Sequence, residues 1–288
     1  MEPTDITTNI SIDYVQLFTN NNSHYISNIL SSISKSEKHR RNNNWESNQY
    51  QLIDYKQNPY KIIHSFNLEN LQLNTIKICQ PTILQQFHLN NVLNNLKINH
   101  QLSKFELSFD MSPSTAATVT NGEIKEWIAK HLFQKYVPTK VNAFWIEDTF
   151  YTRPTRMKNV CGHRGLKLYE KLLNYKLVTR CELEVKRSYI KKRNIQFPII
   201  NIKDPVKNTF VFYEFNEDKF RDYLSKNNKR FSNNQAKSMM ELHRYVTKQT
   251  GNSKKYFKPL DIWNEYFQKA LDEFNLKSAL ELDSLKEF

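Results

Sequence analysis

Lys104–Asp110 (KFELSFD) is the stretch on which the fold turns. It alternates strictly, with Phe105, Leu107 and Phe109 on one side and Glu106, Ser108 and Asp110 on the other. Because successive strand side chains point to opposite faces, this is a strand with one buried and one polar face. Two further runs share the pattern, Leu166–Lys171 (LKLYEK) and Val178–Lys186 (VTRCELEVK), joined by Leu172–Leu177. They read as a hairpin that buries Cys181, Leu183 and Val185 and presents Arg180, Glu182, Glu184 and Lys186. A turn centred on Asn174-Tyr175 sets Tyr169 opposite Arg180 and Lys167 opposite Glu182, with both polar sets on one face.

Outward from this core, Thr120 and Glu123 form a capping box that opens a helix carrying Ile124, Trp127, Ile128, Leu132 and Tyr136. Pro138 ends it. Val141–Ile146, Thr149–Tyr151 and Thr209–Phe215 read as strands, and segment 82–98 as a helix. Residues 216–227, 233–249 and 259–285 read as helices. The expected class is α+β: a mainly antiparallel sheet covered by helices, with a helical C-terminal extension. Residues 1–50, rich in Asn, are expected to be a loosely ordered arm, 51–215 an α+β core and 216–288 a helical region. No internal repeat is visible. Ser232–Phe257 reads as a helix, a Gly-containing break and a basic segment, compatible equally with a helix-turn-helix and with a plain packing helix.

Composition narrows the function. The chain has 288 residues with 18 Phe, 15 Tyr and 4 Trp, enough for a core, and 4 Gly, too few for most glycine-rich nucleotide loops. Cys79, Cys161 and Cys181 include no CxxC pair, which suits a reducing compartment and argues against a disulfide framework or a zinc site. The first residues, MEPTDITTNISIDYVQLF, have neither a basic nor an apolar leader region. A soluble, cytoplasmic protein without a membrane partner is expected.

Lys and Arg number 42 against 29 Asp and Glu, a net charge of +13. Thirteen of those bases and three acids fall between Tyr151 and Arg193, so +10 sits around the hairpin. Concentrated charge is the footprint of a polyanion, nucleic acid first. Arg153, Arg156, Lys158, Arg164, Arg180, Lys186, Arg187, Lys191, Lys192 and Arg193 are the candidate DNA contacts. Tyr151, Tyr169, Tyr175 and Tyr189 lie among them and can stack on unpaired bases. The carboxylates Glu106, Asp110, Glu182 and Glu184 oppose such a surface unless something reverses their sign. Mg²⁺ or Mn²⁺ does so, taking oxygen ligands and bridging to phosphate. The other reading of the same residues is a cross-strand ion-pair ladder with Lys167, Arg180 and Lys186. On the metal reading the Tyr169 hydroxyl attacks a polarised phosphate, and Lys167 and Lys171 favour its phenolate.

The series KFELSFD, helix, two strands, GLKLYEKL and VTRCELEVKR resembles the core of the rolling-circle replication initiators and related relaxases. Within them it is most similar to the "replication initiation factor" group of plasmids, phages and mobile elements. The likeness spans roughly residues 100–250. It implies a curved antiparallel platform and a site-specific single-strand nickase, with Tyr169 as nucleophile and Glu106, Asp110 and Glu182 as metal ligands. Origin DNA, single-stranded or cruciform, is the implied partner, with a homodimer and a host helicase as further associations. The chain departs from the wider superfamily in lacking a His-hydrophobic-His motif. Four Y-x-x-K matches, at Tyr189, Tyr223, Tyr245 and Tyr266, do not single out a nucleophile, and Tyr189 and Tyr223 stand behind Tyr169. The alternatives are a non-catalytic DNA-binding replication or partition factor and an RNA-binding protein whose sheet displays tyrosines and bases.

Overall fold

A computed structural model describes residues 1–34, 36–42, 44–134, 141–154, 164–200, 202, 210–229 and 239–283. The strands are β1 (Ile6–Thr19), β2 (Ser36–Asn42), β3 (Trp45–Ile53), β4 (Pro59–Asn67), β5 (Asn74–Cys79), β6 (His100–Pro113), β7 (Leu132–Gln134), β8 (Val141–Ile146), β9 (Thr149–Pro154), β10 (Arg164–Leu173), β11 (Lys176–Lys186), β12 (Phe210–Phe215) and β13 (Phe257–Pro259). The helices are α1 (Ser23–Ile33), α2 (Ile83–Asn95), α3 (Asn121–His131), α4 (Arg187–Arg193), α5 (Glu217–Lys226), α6 (Met239–Thr250) and α7 (Asp261–Asp283). The expected α+β class holds.

Ten strands form one antiparallel sheet in the order β2-β3-β4-β5-β1-β6-β11-β10-β9-β8. That order reads alike from both ends. A long strand, a helix, four strands and a second helix occur in β1 through α2, and the same series recurs in β6 through α4, with the short β7 inserted. Both central strands have 14 residues, and α1 and α3 both have 11. The sheet is a duplicated module joined through the antiparallel β1–β6 ladder. The repeat is one of element order, while the sequence shows none. Alternation asks only for apolar residues on one face, so two copies of a backbone can be built without sequence similarity.

Residues 1–50 also differ from a loosely ordered arm. β1 lies at the centre of the sheet and β3 runs through residue 50, so the division there is no break in the fold. β1 buries Ile10 and Ile12, then Val15 and Leu17, because its register against β6 slips between Ile12 and Tyr14. This β-bulge hides the strand's periodicity in the sequence: it leaves Asp13 out of the β1–β6 pairing, with Tyr14 the next residue paired, opposite Glu106.

Helices cover one face. Ile26 and Leu30 of α1, Leu89 and Leu93 of α2, Ile124 and Ile128 of α3, and Trp263, Phe267 and Leu271 of α7 join the sheet's apolar face in one core. Thr120 caps α3 as expected, exchanging bonds with Glu123. Trp127 of α3 stacks on Trp263 of α7 at 3.9 Å between centroids, fastening the C-terminal helix over the core. The other face of the sheet is the polar one. A small sheet, β13-β12-β7, carries a second cluster of Phe220, Leu224, Val246 and Tyr256. The helix-turn-helix reading of Ser232–Phe257 is not met: α6 is followed by a 3₁₀ turn, Lys254–Tyr256, and by β13, which pairs with β12. Residues 230–238 lie outside the described residues.

Candidate nucleic-acid active site

The hairpin forms in the expected register. Leu173 and Lys176 close a two-residue turn at Asn174-Tyr175, Tyr169 faces Arg180, and Lys167 faces Glu182. β11 also pairs with β6, placing Arg180 beside Asp110, Glu182 beside Ser108 and Glu184 beside Glu106. Three adjacent strands and the β1 bulge thus bring one polar cluster together on the open face.

Arg180 organises this cluster. Its Nε and Nη2 donate to the two carboxylate oxygens of Asp110 at 2.6 and 2.7 Å, and its Nη1 donates to Asp13 Oδ1 at 3.0 Å. With 2% of the residue exposed, it is a buried, fork-bonded cation. Arg180 and Asp110, expected as a DNA contact and a metal ligand, are thus bonded to each other, and Asp110 stands outside the group of carboxylates whose oxygens converge. Glu184 likewise is held by Lys104 and by Lys186, the latter at 3.1 Å. These pairs are the ion-pair ladder foreseen as the other reading.

Three carboxylates remain convergent. Asp13, Glu106 and Glu182 offer oxygens that all lie within 4.8 Å of one another. Asp13 was not found from the sequence; the one signal was the slip in β1's alternation at Ile12-Asp13-Tyr14. Burial and the neighbouring Glu182 raise the Glu106 carboxyl to about 7, while Lys167, at 3.7 Å, only partly offsets them. Ser108, opposite Glu182 and two residues beyond Glu106 on β6, is buried with no hydrogen-bond partner for its Oγ. Three hard oxygen donors under mutual repulsion, beside an unsatisfied hydroxyl, fit Mg²⁺ or Mn²⁺.

The Tyr169 hydroxyl donates to Glu182 Oε1, and Lys167 Nζ donates to Glu182 Oε2 at 2.8 Å. Burial opposes ionisation of Glu182, but the bonds from Lys167 and Tyr169 outweigh it and hold the carboxyl below its ordinary range. Burial, the bond to Glu182 and its negative charge push the phenol well above its ordinary value. Lys167, expected to favour a Tyr169 phenolate, bonds Glu182, the acceptor of the phenol's own hydrogen bond. Lys171 shares the face further toward the turn, opposite Val178.

The outer cations sort by position. Arg187, Lys191, Lys192 and Arg193 are exposed on α4, with the Arg187 guanidinium 5.1 Å from the Phe18 ring centroid. Arg153 stands in β9 opposite Asn142, and Arg164 in β10 opposite Val185. Arg156 and Lys158 lie outside the described residues. Tyr189 is buried, which argues against its use as a nucleophile, and Tyr223 donates to the carbonyl of Gln249 in the second cluster, away from the carboxylates.

No family model matches the sequence, and no curated protein matches it. Among solved structures, a rolling circle replication initiator protein from Geobacillus stearothermophilus aligns with 87% of this chain and 98% of its own, at 10% identity and a TM-score of 0.39. The di-domain ARO/CYC StfQ from the steffimycin biosynthetic pathway aligns with 86% of this chain and 99% of its own, at 9% identity and a TM-score of 0.19. Both likenesses are too weak to assign a family, so the functional reading rests on the site. Among the described residues no helix is long and apolar enough to cross a membrane.

Proposed function

We propose that this chain is a replication initiator of a plasmid, phage or mobile element that nicks origin DNA through Tyr169 with a divalent metal. The observation that carries this reading is the hydrogen bond from Tyr169 to Glu182, a carboxylate that also belongs to the Asp13–Glu106–Glu182 trio. Those three residues would hold Mg²⁺ or Mn²⁺, which when bound polarises the scissile phosphate and neutralises its charge.

The chain's own groups do the rest. The raised phenol rests protonated, so the attack needs a base, and Glu182 is already bonded to the proton that must leave. As the phenolic oxygen forms its bond to phosphorus, the proton passes to Glu182 and the bond from phosphorus to the 3′ oxygen breaks. The products are a phosphotyrosine on the 5′ end and a 3′ hydroxyl, protonated from solvent. Lys167 steadies Glu182 and Glu106 in their positions. Arg180 is a positioning residue that fixes Asp13 beside them. The α4 cations, with Lys186, bind the DNA backbone without reading its sequence.

The test is incubation of the purified protein with supercoiled plasmid carrying the DNA that flanks its gene, with Mn²⁺. Relaxation accompanied by a detergent-resistant protein–DNA adduct is expected, and Tyr169→Phe is expected to lose both. Full relaxation by that variant would remove Tyr169 from the role. Binding without relaxation would leave the ion-pair ladder as structure and the protein as a non-catalytic DNA-binding factor. Equal affinity for RNA hairpins would favour the RNA-binding reading.

A further inference from the structure

The tip of the β10–β11 hairpin carries an apolar group that the site does not use. Tyr175 is 97% exposed, Leu172 65% and Leu177 47%. Leu172 and Leu177 face each other across the hairpin and continue the stripe that buries Leu168 and Leu183 nearer its base. The stripe runs out beyond α3, which braces the hairpin below the tip. Asn121 Nδ2 donates to the Leu177 carbonyl at 3.0 Å, Thr179 Oγ1 donates to the Asn121 carbonyl at 2.8 Å, and Lys125 lies 3.3 Å from Glu170. The tip is therefore a short prow on a fixed base.

Its turn is built against conformational preference. Asn174 and Tyr175 have φ of 46° and 64°, the left-handed region that a two-residue hairpin turn requires at both positions. Asn suits the first position and Gly the second; a tyrosine in the second is disfavoured by its Cβ. An aromatic ring held in a strained turn, almost wholly in water, points to a use outside the fold. The equivalent β4–β5 connection shows no such feature. It is a longer loop, Leu68–Leu73, folded back on itself by Asn67 and Asn70 side chains bonded to neighbouring backbone amides.

Charge identifies the partner. From Lys171 to Thr179 the hairpin holds Lys171 and Lys176 and no acid. Both lysines have the strand parity of the Tyr169 face, whereas Leu172 and Leu177 lie on the other. We propose that this tip is a wedge for a duplex–single-strand junction: Tyr175 stacks on the last base pair, and Leu172 and Leu177 hold the strands apart. One strand is drawn past Lys176 and Lys171 toward Tyr169. This rests on the proposed nickase reading, which requires unpaired DNA at Tyr169. The first turn residue, Asn174, lies five residue steps beyond Tyr169, about 17 Å of strand, or about 3–5 nucleotides between junction and phosphodiester.

The experiment uses the full chain and a forked oligonucleotide, a duplex with two single-stranded arms and 2-aminopurine in its terminal pair. The protein is expected to raise 2-aminopurine fluorescence severalfold, and Tyr175→Ala to abolish at least half of that rise. Tyr175→Phe should keep the rise. Tyr175→Gly should fold at least as stably as the native chain, because it relieves the turn, yet lose the rise. An unchanged signal in Tyr175→Ala and Tyr175→Gly, or no rise with the native protein, would overturn the wedge. Opening is read without cleavage, so a failed nickase assay with a positive fluorescence result refutes only the chemistry. With Mn²⁺, Tyr175→Ala should lose about tenfold more cleavage on the fork than on circular single-stranded DNA, and equal losses on both would overturn the wedge.

Discussion

The two halves of the sheet have one topology and different contents. Counted from the first residue of each central strand, Ser108 and Asp110 of β6 correspond to Tyr14 and Gln16 of β1. In the second half the row Asp110–Arg180–Tyr169 crosses three strands; in the first its counterpart is Gln16–Lys77–Ile63. Glu182, beside Ser108, has Cys79 beside Tyr14 as its counterpart. The first half has therefore no buried cation and no convergent carboxylates in these rows. Lys77 instead lies 4.1 Å from the Tyr14 ring centroid. The comparison separates what the backbone supplies from what the site requires: the scaffold appears twice, the chemistry once. The first half still contributes Asp13 through its bulge, so the site belongs to the seam between the halves.

Substitutions at equivalent positions test that separation. The largest effect is expected at Tyr169, where phenylalanine should lower nicking by about 10³-fold, near 4 kcal/mol of barrier. Ile63→Phe should leave the rate within about twofold, as a gel assay of plasmid relaxation would show. Arg180→Ala should destabilise the fold by about 3–5 kcal/mol in urea titration, because it strands buried Asp110 without its partner. Lys77→Ala should lose under about 1 kcal/mol, and equal losses at the two positions would refute the asymmetry.

Next comes Glu106. Its carboxyl is raised from 4.5 to about 7 in the folded chain, so the folded state holds the proton longer than the unfolded state. Stability from this group is full below pH 4.5 and is lost as pH rises to about 7. With a chelator present, Glu106→Gln should gain about 1–3 kcal/mol at pH 8 and nothing at pH 4. A melting series across that range reads the difference, and a gain that does not vary with pH would contradict the assignment. The smallest effect concerns thiols: exposed Cys79 should react with an aromatic disulfide reagent in the native state, while buried Cys181, its thiol pushed up by burial, should react only on unfolding.

The second half was far more legible than the first. Lys104–Asp110 of β6, Leu166–Lys171 of β10 and Val178–Lys186 of β11 alternate, so their faces, register and the Tyr169–Arg180 and Lys167–Glu182 pairs followed from parity. β1 was hidden because its bulge reverses the parity at Asp13, and its polar residues, Thr7, Thr8, Asn9 and Ser11, weaken the apolar signal. Asp13 was missed for the same reason. Composition could place carboxylates on a face, but which of them a guanidinium would claim depends on three-dimensional reach. Asp110 is bonded to Arg180 and Glu184 to Lys104 in that way.

The bond from Arg180 to Asp13 spans 167 residues of chain. During synthesis from the N-terminus, β1 through α2 precede the rest, and Asp13 then lacks Arg180, Glu106 and Glu182. The acidic trio comes into being only when β11 docks against β6, after most of the sheet has been made. A nascent or truncated chain ending before that strand would have the first module, much of the apolar core and no assembled centre. The long reach of one arginine thus acts as a completeness check, tying chemistry at the seam to the arrival of the second copy.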